Sequence, residues 1–120
     1  MEETDLICEQ LVATAIEATM IVVESKLHGD PIPSLRGHCG VIIEKRERLY
    51  RCYSQSSRAD VDTMLRQYGL RALCHEYRAD TRNHEEELCG TFIELLFHSA
   101  EPKPAKGMLD SEVVNAGIVR

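Results

Sequence analysis

The stretch from Leu6 to Leu27 holds neither glycine nor proline, and that uninterrupted run constrains the fold more than any other feature of the sequence. Helix breakers arrive only at Gly29, Asp30 and Pro31, and Thr4 or Asp5 stands at the other end as a candidate N-cap. At helical spacing Glu9, Ala13, Glu17, Met20 and Glu24 fall on one narrow stripe. Ile7, Leu11, Val12, Ala15, Ile16, Ile21, Val22 and Val23 fill most of the remaining circumference. A helix packed on one side needs an apolar arc of roughly 100° or a little more. This arc is wider, so a single sheet would leave part of it uncovered. Ile7, Leu11, Val12, Ile16, Val22 and Val23 are therefore the candidate protein interface, and a second copy of the chain or another protein is the expected cover.

Beyond the helix, Gly29 to Ser34 reads as a connector, because Pro31 and Pro33 fix φ and exclude helix. From His38 the pattern reads as β. Cys39, Val41 and Ile43 alternate as one strand, Lys45-Arg46-Glu47 forms the turn, and Leu49 to Tyr53 returns. Ser57, with Asp60 three residues on, opens a second helix, in which Val61, Met64, Leu65 and Tyr68 recur at helical spacing and Gly69 is placed to end it. Leu70 to Arg78 reads as a third strand and Asp80 to Glu87 as a polar loop. Leu88 to His98 reads as a long central strand, although pattern alone does not separate so apolar a run from a helix. The expected fold is a two-layer α+β sandwich in the order α-β-β-α-β-β, a four-stranded antiparallel sheet backed by two helices. Residues 1–100 form the domain. Pro102 and Pro104 then lead into a C-terminal tail, 101–120, whose Met108, Leu109, Val113, Val114, Ile118 and Val119 suit either docking or a frayed end.

A chain of 120 residues with 43% hydrophobic and 28% charged residues has the makings of one globular core and lacks the signature of disorder. The acidic opening Glu2, Glu3, Asp5 is unlike the basic start of a secretory signal. The longest strictly apolar stretch, around Met20 to Val23, is short against the roughly 20 residues that span a bilayer, so no membrane contact is expected. Five widely spaced cysteines without a C-x-x-C pair fit reduced thiols in the cytoplasm or nucleus. Charge is unevenly distributed. Residues 1–35 carry seven acids against one base, 36–82 ten bases against six acids, and 83–120 seven acids against three bases. The net charge of −6 argues against non-specific binding to nucleic acid, yet leaves a basic middle.

That basic middle supplies the second hypothesis. Lys45, Arg46, Arg48, Arg51 and Arg58, with Arg66 further on, are interleaved with Tyr50 and Tyr53, a combination that tracks and stacks single-stranded nucleic acid when it lies on an exposed hairpin. Glu44, Glu47, Asp60 and Asp62 dilute it. A third hypothesis is zinc, held by some of Cys39, Cys52, Cys74, His75 and Cys89, but structural zinc sites draw ligands in close pairs such as C-x₂₋₄-C, and none is present. Core packing is the simpler use of those thiols. Gly37-His38-Cys39-Gly40 superficially resembles the G-x-C-G nucleophile turn of chymotrypsin-like viral cysteine proteases. That fold needs a β-barrel upstream carrying the histidine and the acid, which the short, mostly helical segment before Cys39 does not provide. Walker A, G-x-G-x-x-G, H-E-x-x-H and G-x-S-x-G strings are all absent. The sequence therefore points to a small, non-enzymatic regulatory or adaptor protein that needs no cofactor and binds itself as a homodimer or another protein. A viral or phage accessory, immunity or chaperone-like role fits that size and charge.

Overall fold

The structure, a computed structural model, describes residues 2–77 and 84–98. Among them are four helices and no strand: α1 (Glu3–His28), α2 (Arg36–Cys52), α3 (Arg58–Glu76) and α4 (Glu85–His98). The α+β sandwich is thus overturned, and the protein is all-helical over the described residues. The tail 101–120 lies outside them.

The long first helix is present. It begins two or three residues earlier than the Thr4 or Asp5 cap would place it, with Glu2 at the N-cap making no side-chain bond and Glu3 and Asp5 in the first turn, where carboxylates meet the positive end of the helix dipole. It ends at Gly29, whose φ of 70° is the left-handed conformation that glycine adopts without a Cβ penalty. Gly29 and Asp30 donate their amides to Lys26 and Ser25, closing the last turn. Thr19, the buried polar side chain in the core, satisfies its hydroxyl by donating to the Ala15 carbonyl at 2.7 Å.

The expected hairpin is α2. A tight hairpin needs Gly, Asn or Asp where the chain reverses, and Lys45-Arg46-Glu47 offers instead three good helix formers. Its buried residues Ile42 and Leu49 lie seven apart, and the partly buried Leu35, Cys39 and Tyr53 extend the same face at helical spacing. The β-branched run Val41-Ile42-Ile43 imitates a strand, but only Ile42 of the three is buried.

The second helix starts as expected, with the Ser57 hydroxyl accepting the Asp60 amide at 3.1 Å. It does not stop at Gly69. The third strand, Leu70 to Arg78, is mostly the second half of α3, and Gly69 is a packing position within it: a Cβ there would lie 2.8 Å from two ring carbons of the fully buried Phe92. The expected central strand is α4, with Leu88, Phe92, Leu95 and Leu96 buried at helical spacing and Glu85, Glu86 and Glu87 in its first turn instead of in a loop.

Helix α1 is the hub, packing chiefly on α2 and α4. Lys26 Nζ meets Glu87 Oε2 at 3.5 Å, joining the end of α1 to the start of α4, and Arg48 reaches Glu3 at 3.2 Å, joining the end of α2 to the start of α1. Both neighbours therefore run antiparallel to α1. Helix α3 runs antiparallel to α4, with Gly69 against Phe92 and Arg66 over Phe97. The surplus of apolar surface on α1 is thus covered within the chain by three helices.

Candidate functional site

Five of the six candidate interface residues, Ile7, Leu11, Val12, Val22 and Val23, are at most 9% exposed and belong to the core or its margin. Ile16 is partly buried against it. The argument for an uncovered helix rested on a sheet with one face, and a bundle covers the wider arc. What stays outside is the stripe itself: Glu9, Ala13, Glu17 and Glu24 are exposed and Met20 half-buried.

Glu9, Ala13, Glu17 and Met20 of that stripe line one wall of a groove of about 510 Å³ between α1 and α3. Val12, Ala13, Ile16 and Met20 from α1 meet Tyr68 and Ala72 from α3 along its floor, and Glu9, Glu17, His75 and Glu76 border it. Alanine on both sides leaves the width. Tyr68, Ala72, His75 and Glu76 were not legible as a set because a stop at Gly69 cuts Tyr68 off from the other three and strand alternation divides those between two faces, whereas one continuous helix puts all four on one. No lysine or arginine lines the groove. The acids act at a distance too: burial first, then Cys8, Glu9 and Asp5, raises the Tyr68 hydroxyl pKa, and burial, then Glu24 and Glu76, pushes Tyr77 up to about 12. His38 faces Glu17 at 3.7 Å across the stripe, a pairing that carries charge only when the imidazole is protonated.

The candidate nucleic-acid set divides. Arg46, Tyr50 and Arg58 converge, with Asp62, Arg66 and Phe97, on a second cleft of about 320 Å³ where α2, α3 and α4 meet. Arg48 turns the other way, to Glu3 and Glu44. Lys45 and Arg51 are not in the cleft, and Tyr53 packs against the core. Within it, Arg46 donates to the Leu96 carbonyl at 2.6 Å, serving an orphan acceptor of the last turn of α4. Arg58 lies over the Tyr50 ring at 4.5 Å and meets Glu47 at 3.5 Å, and Arg66 lies over Phe97 at 5.2 Å. Tyr50 donates to Asp62 at 2.5 Å, and burial, reinforced by that carboxylate, pushes its hydroxyl up to about 12 against the lowering effect of Arg46 and Arg58. An extended basic, aromatic track is absent among the described residues.

Nor are the candidate zinc ligands brought together. Cys39 and Cys89 are half-buried on α2 and α4, while Cys52 ends α2 and Cys74 and His75 sit exposed on α3. Among the described residues no three His, Cys, Asp or Glu side chains group as a metal site. All five thiols are free. Burial pushes Cys8 up to about 11, with Asp5 and Glu9 adding to it, and raises Cys39 and Cys89, the reverse of what activates a nucleophile. Helix α1 is long and apolar enough to cross a membrane by length and composition, contrary to the short span expected from its strictly apolar stretch, and half of its most apolar window is buried by the other helices.

No protein-family model matches this chain, and neither a curated protein nor a solved structure is similar to it at a significant level.

Proposed function

We propose that this chain is a non-catalytic, partner-binding helical domain, regulatory or adaptor in role, whose docking face is the α1–α3 groove. Its partner is a different protein that presents an amphipathic helix with Lys or Arg beside a short apolar face. One observation carries this reading: an apolar floor bordered by Glu9, Glu17 and Glu76, with no cation in the lining. Shape alone would admit any apolar helix, whereas the rim selects a basic one and steers its approach. The raised thiol pKa values of Cys8, Cys39 and Cys89 support binding over thiol catalysis. Five free cysteines support a reducing compartment, cytoplasmic or nuclear.

Fluorescence anisotropy of a labelled Leu/Lys heptad peptide against the full chain tests the reading. Saturable binding is expected, weakened about tenfold or more by Ala13→Arg, which fills the floor and inverts the charge, since 1.4 kcal/mol is a factor of ten. A scrambled peptide of equal charge that binds as well as the amphipathic one would overturn it, because attraction would then be charge alone. Homodimerisation through α1 is the competing reading, and sedimentation separates the two: a monomer at high micromolar concentration favours the heterologous partner. Retention of the chain in membranes after an alkaline carbonate wash would count against the proposed compartment and favour α1 as a span.

A further inference from the structure

The cleft where α2, α3 and α4 meet has a chemistry opposite to that of the groove, and we infer that it is a phosphate-monoester site built on Arg58 and Arg66. Three guanidinium groups, Arg46, Arg58 and Arg66, line about 320 Å³ in a chain whose net charge is −6. Asp62 accepts the Tyr50 hydroxyl at 2.5 Å, Arg46 is held on the Leu96 carbonyl at 2.6 Å, and Glu47 meets the exposed Arg58 at 3.5 Å, so a phosphate would compete with Glu47 for Arg58 and meet Arg66 without such a rival. Arg66 stands four residues after Asp62 on α3 and makes no ion pair among the described residues. It is held over the Phe97 ring at 5.2 Å, as Arg58 is held over Tyr50 at 4.5 Å. A guanidinium lying on an aromatic face keeps its N–H fork directed along the ring plane, and a fork fixed in advance loses less side-chain freedom on gripping an oxyanion. His98 completes the mouth at the end of α4.

Size and boundary select the ligand. A nucleic-acid strand needs a row of cations, and those that would extend this one, Lys45, Arg48 and Arg51, lie outside the cleft. One compact dianion with three acceptor oxygens fits two converging guanidinium groups, Arg58 and Arg66, with the charge of Arg46 beside them. The free monoester of a small molecule and the phosphorylated side chain of a protein share that chemistry.

Calorimetric titration of the full chain with phenyl phosphate, and with a short phosphotyrosine peptide, reads the site. Both are expected to saturate. Arg66→Ala, with a thermal melt to show that the fold survives loss of the Phe97 contact, is expected to weaken each by about tenfold, the loss of one charge-assisted contact. Arg66→Lys should restore part of it, since a point charge replaces the fork. Equal affinity for the two probes assigns the site to small monoesters, and a much tighter peptide assigns it to phosphorylated protein. Absence of saturation up to about 10 mM phenyl phosphate, well beyond a weak millimolar site, overturns the inference. So does binding indifferent to both Arg66→Ala and Arg58→Ala. Tighter binding of a single-stranded oligonucleotide that depends on Lys45 and Arg51 overturns it in favour of a nucleic-acid surface.

Discussion

The two halves of α3 face opposite electrostatic worlds. Its first half puts Arg58, Asp62 and Arg66 against α2 and α4, in a cleft where cations lie on aromatic rings and acids are engaged. Its second half puts Tyr68, Ala72, His75 and Glu76 against α1, in an apolar groove rimmed by carboxylates that no Lys or Arg in the lining meets. Between them sits Gly69, pressed on Phe92. A net charge of −6 conceals this sorting, because an average over the chain cancels a basic site against an acidic one. Two clefts of opposite sign on one helix suit the two separate recognitions proposed, and the Gly69 contact with Phe92 lies between the clefts, where it can hold both in register.

Breaking that centre should have the largest effect. Phe92 is fully buried, and Phe92→Ala is expected to destabilise the fold by about 3–5 kcal/mol through lost burial and a residual cavity, read from the urea midpoint. Both clefts should loosen together. Overfilling the same contact is the next largest: Gly69→Val puts a branched side chain where a Cβ alone already lies 2.8 Å from the Phe92 ring, at a cost of about 1–3 kcal/mol. A Gly69→Val protein as stable as the parent would show that α3 and α4 approach less closely than described.

How much of this was legible follows from where each signal comes from. Helix α1 and the Ser57 start of α3 are local: an absence of breakers, a stripe at helical spacing, a hydroxyl three residues before its amide. So was the stripe Glu9, Ala13, Glu17, Met20, Glu24, whose first four residues line one wall of the groove. The other wall was hidden because Gly69 reads locally as a stop, and only its tertiary contact with Phe92 explains a glycine in mid-helix. Helix α2 was hidden by Val41-Ile42-Ile43, a run whose β preference yields once Ile42 and Leu49 find a core at helical spacing. Helix α4 is apolar on so much of its surface that periodicity carries little information until the partners are known. The basic cleft draws Arg46 and Tyr50 from α2, Arg58 and Arg66 from α3 and Phe97 from α4, a convergence no spacing along the chain encodes.

A smaller effect separates the two ends by titration. Tyr50 in the basic cleft and Tyr77 at the acidic end each have a hydroxyl raised from 10.0 to about 12, chiefly by burial. A raised acid is held neutral by the fold, so its contribution is complete below pH 10 and is lost as pH climbs through about 12. Alkaline unfolding followed by tyrosinate absorbance should therefore begin above pH 10. Tyr50→Phe and Tyr77→Phe should each make the transition shallower. The causes differ: Asp62 and two arginines oppose one another at Tyr50, whereas Glu24 and Glu76 act together at Tyr77. Added salt should accordingly change the Tyr77 contribution more.

The smallest effect reverses the sign of the Gly69 result and so isolates its cause. Gly40 and Gly90 are exposed residues of α2 and α4, and a Cβ built on either meets nothing within 4 Å. Neither has the left-handed φ found at Gly29, so alanine fits the backbone without strain. Gly40→Ala and Gly90→Ala remove unfolded-state freedom and raise helix propensity, and each is expected to stabilise by about 0.4–1 kcal/mol. The three glycines share a residue type and a helical backbone, and what differs is the neighbour. If thermal melting shows Gly40→Ala and Gly90→Ala stabilised while Gly69→Ala, whose Cβ alone meets Phe92 at 2.8 Å, is destabilised, the cost at Gly69 belongs to the Phe92 contact. If all three lose stability to a similar degree, the penalty is unrelated to Phe92, and the centre of α3 loses its claim to hold the two clefts in register.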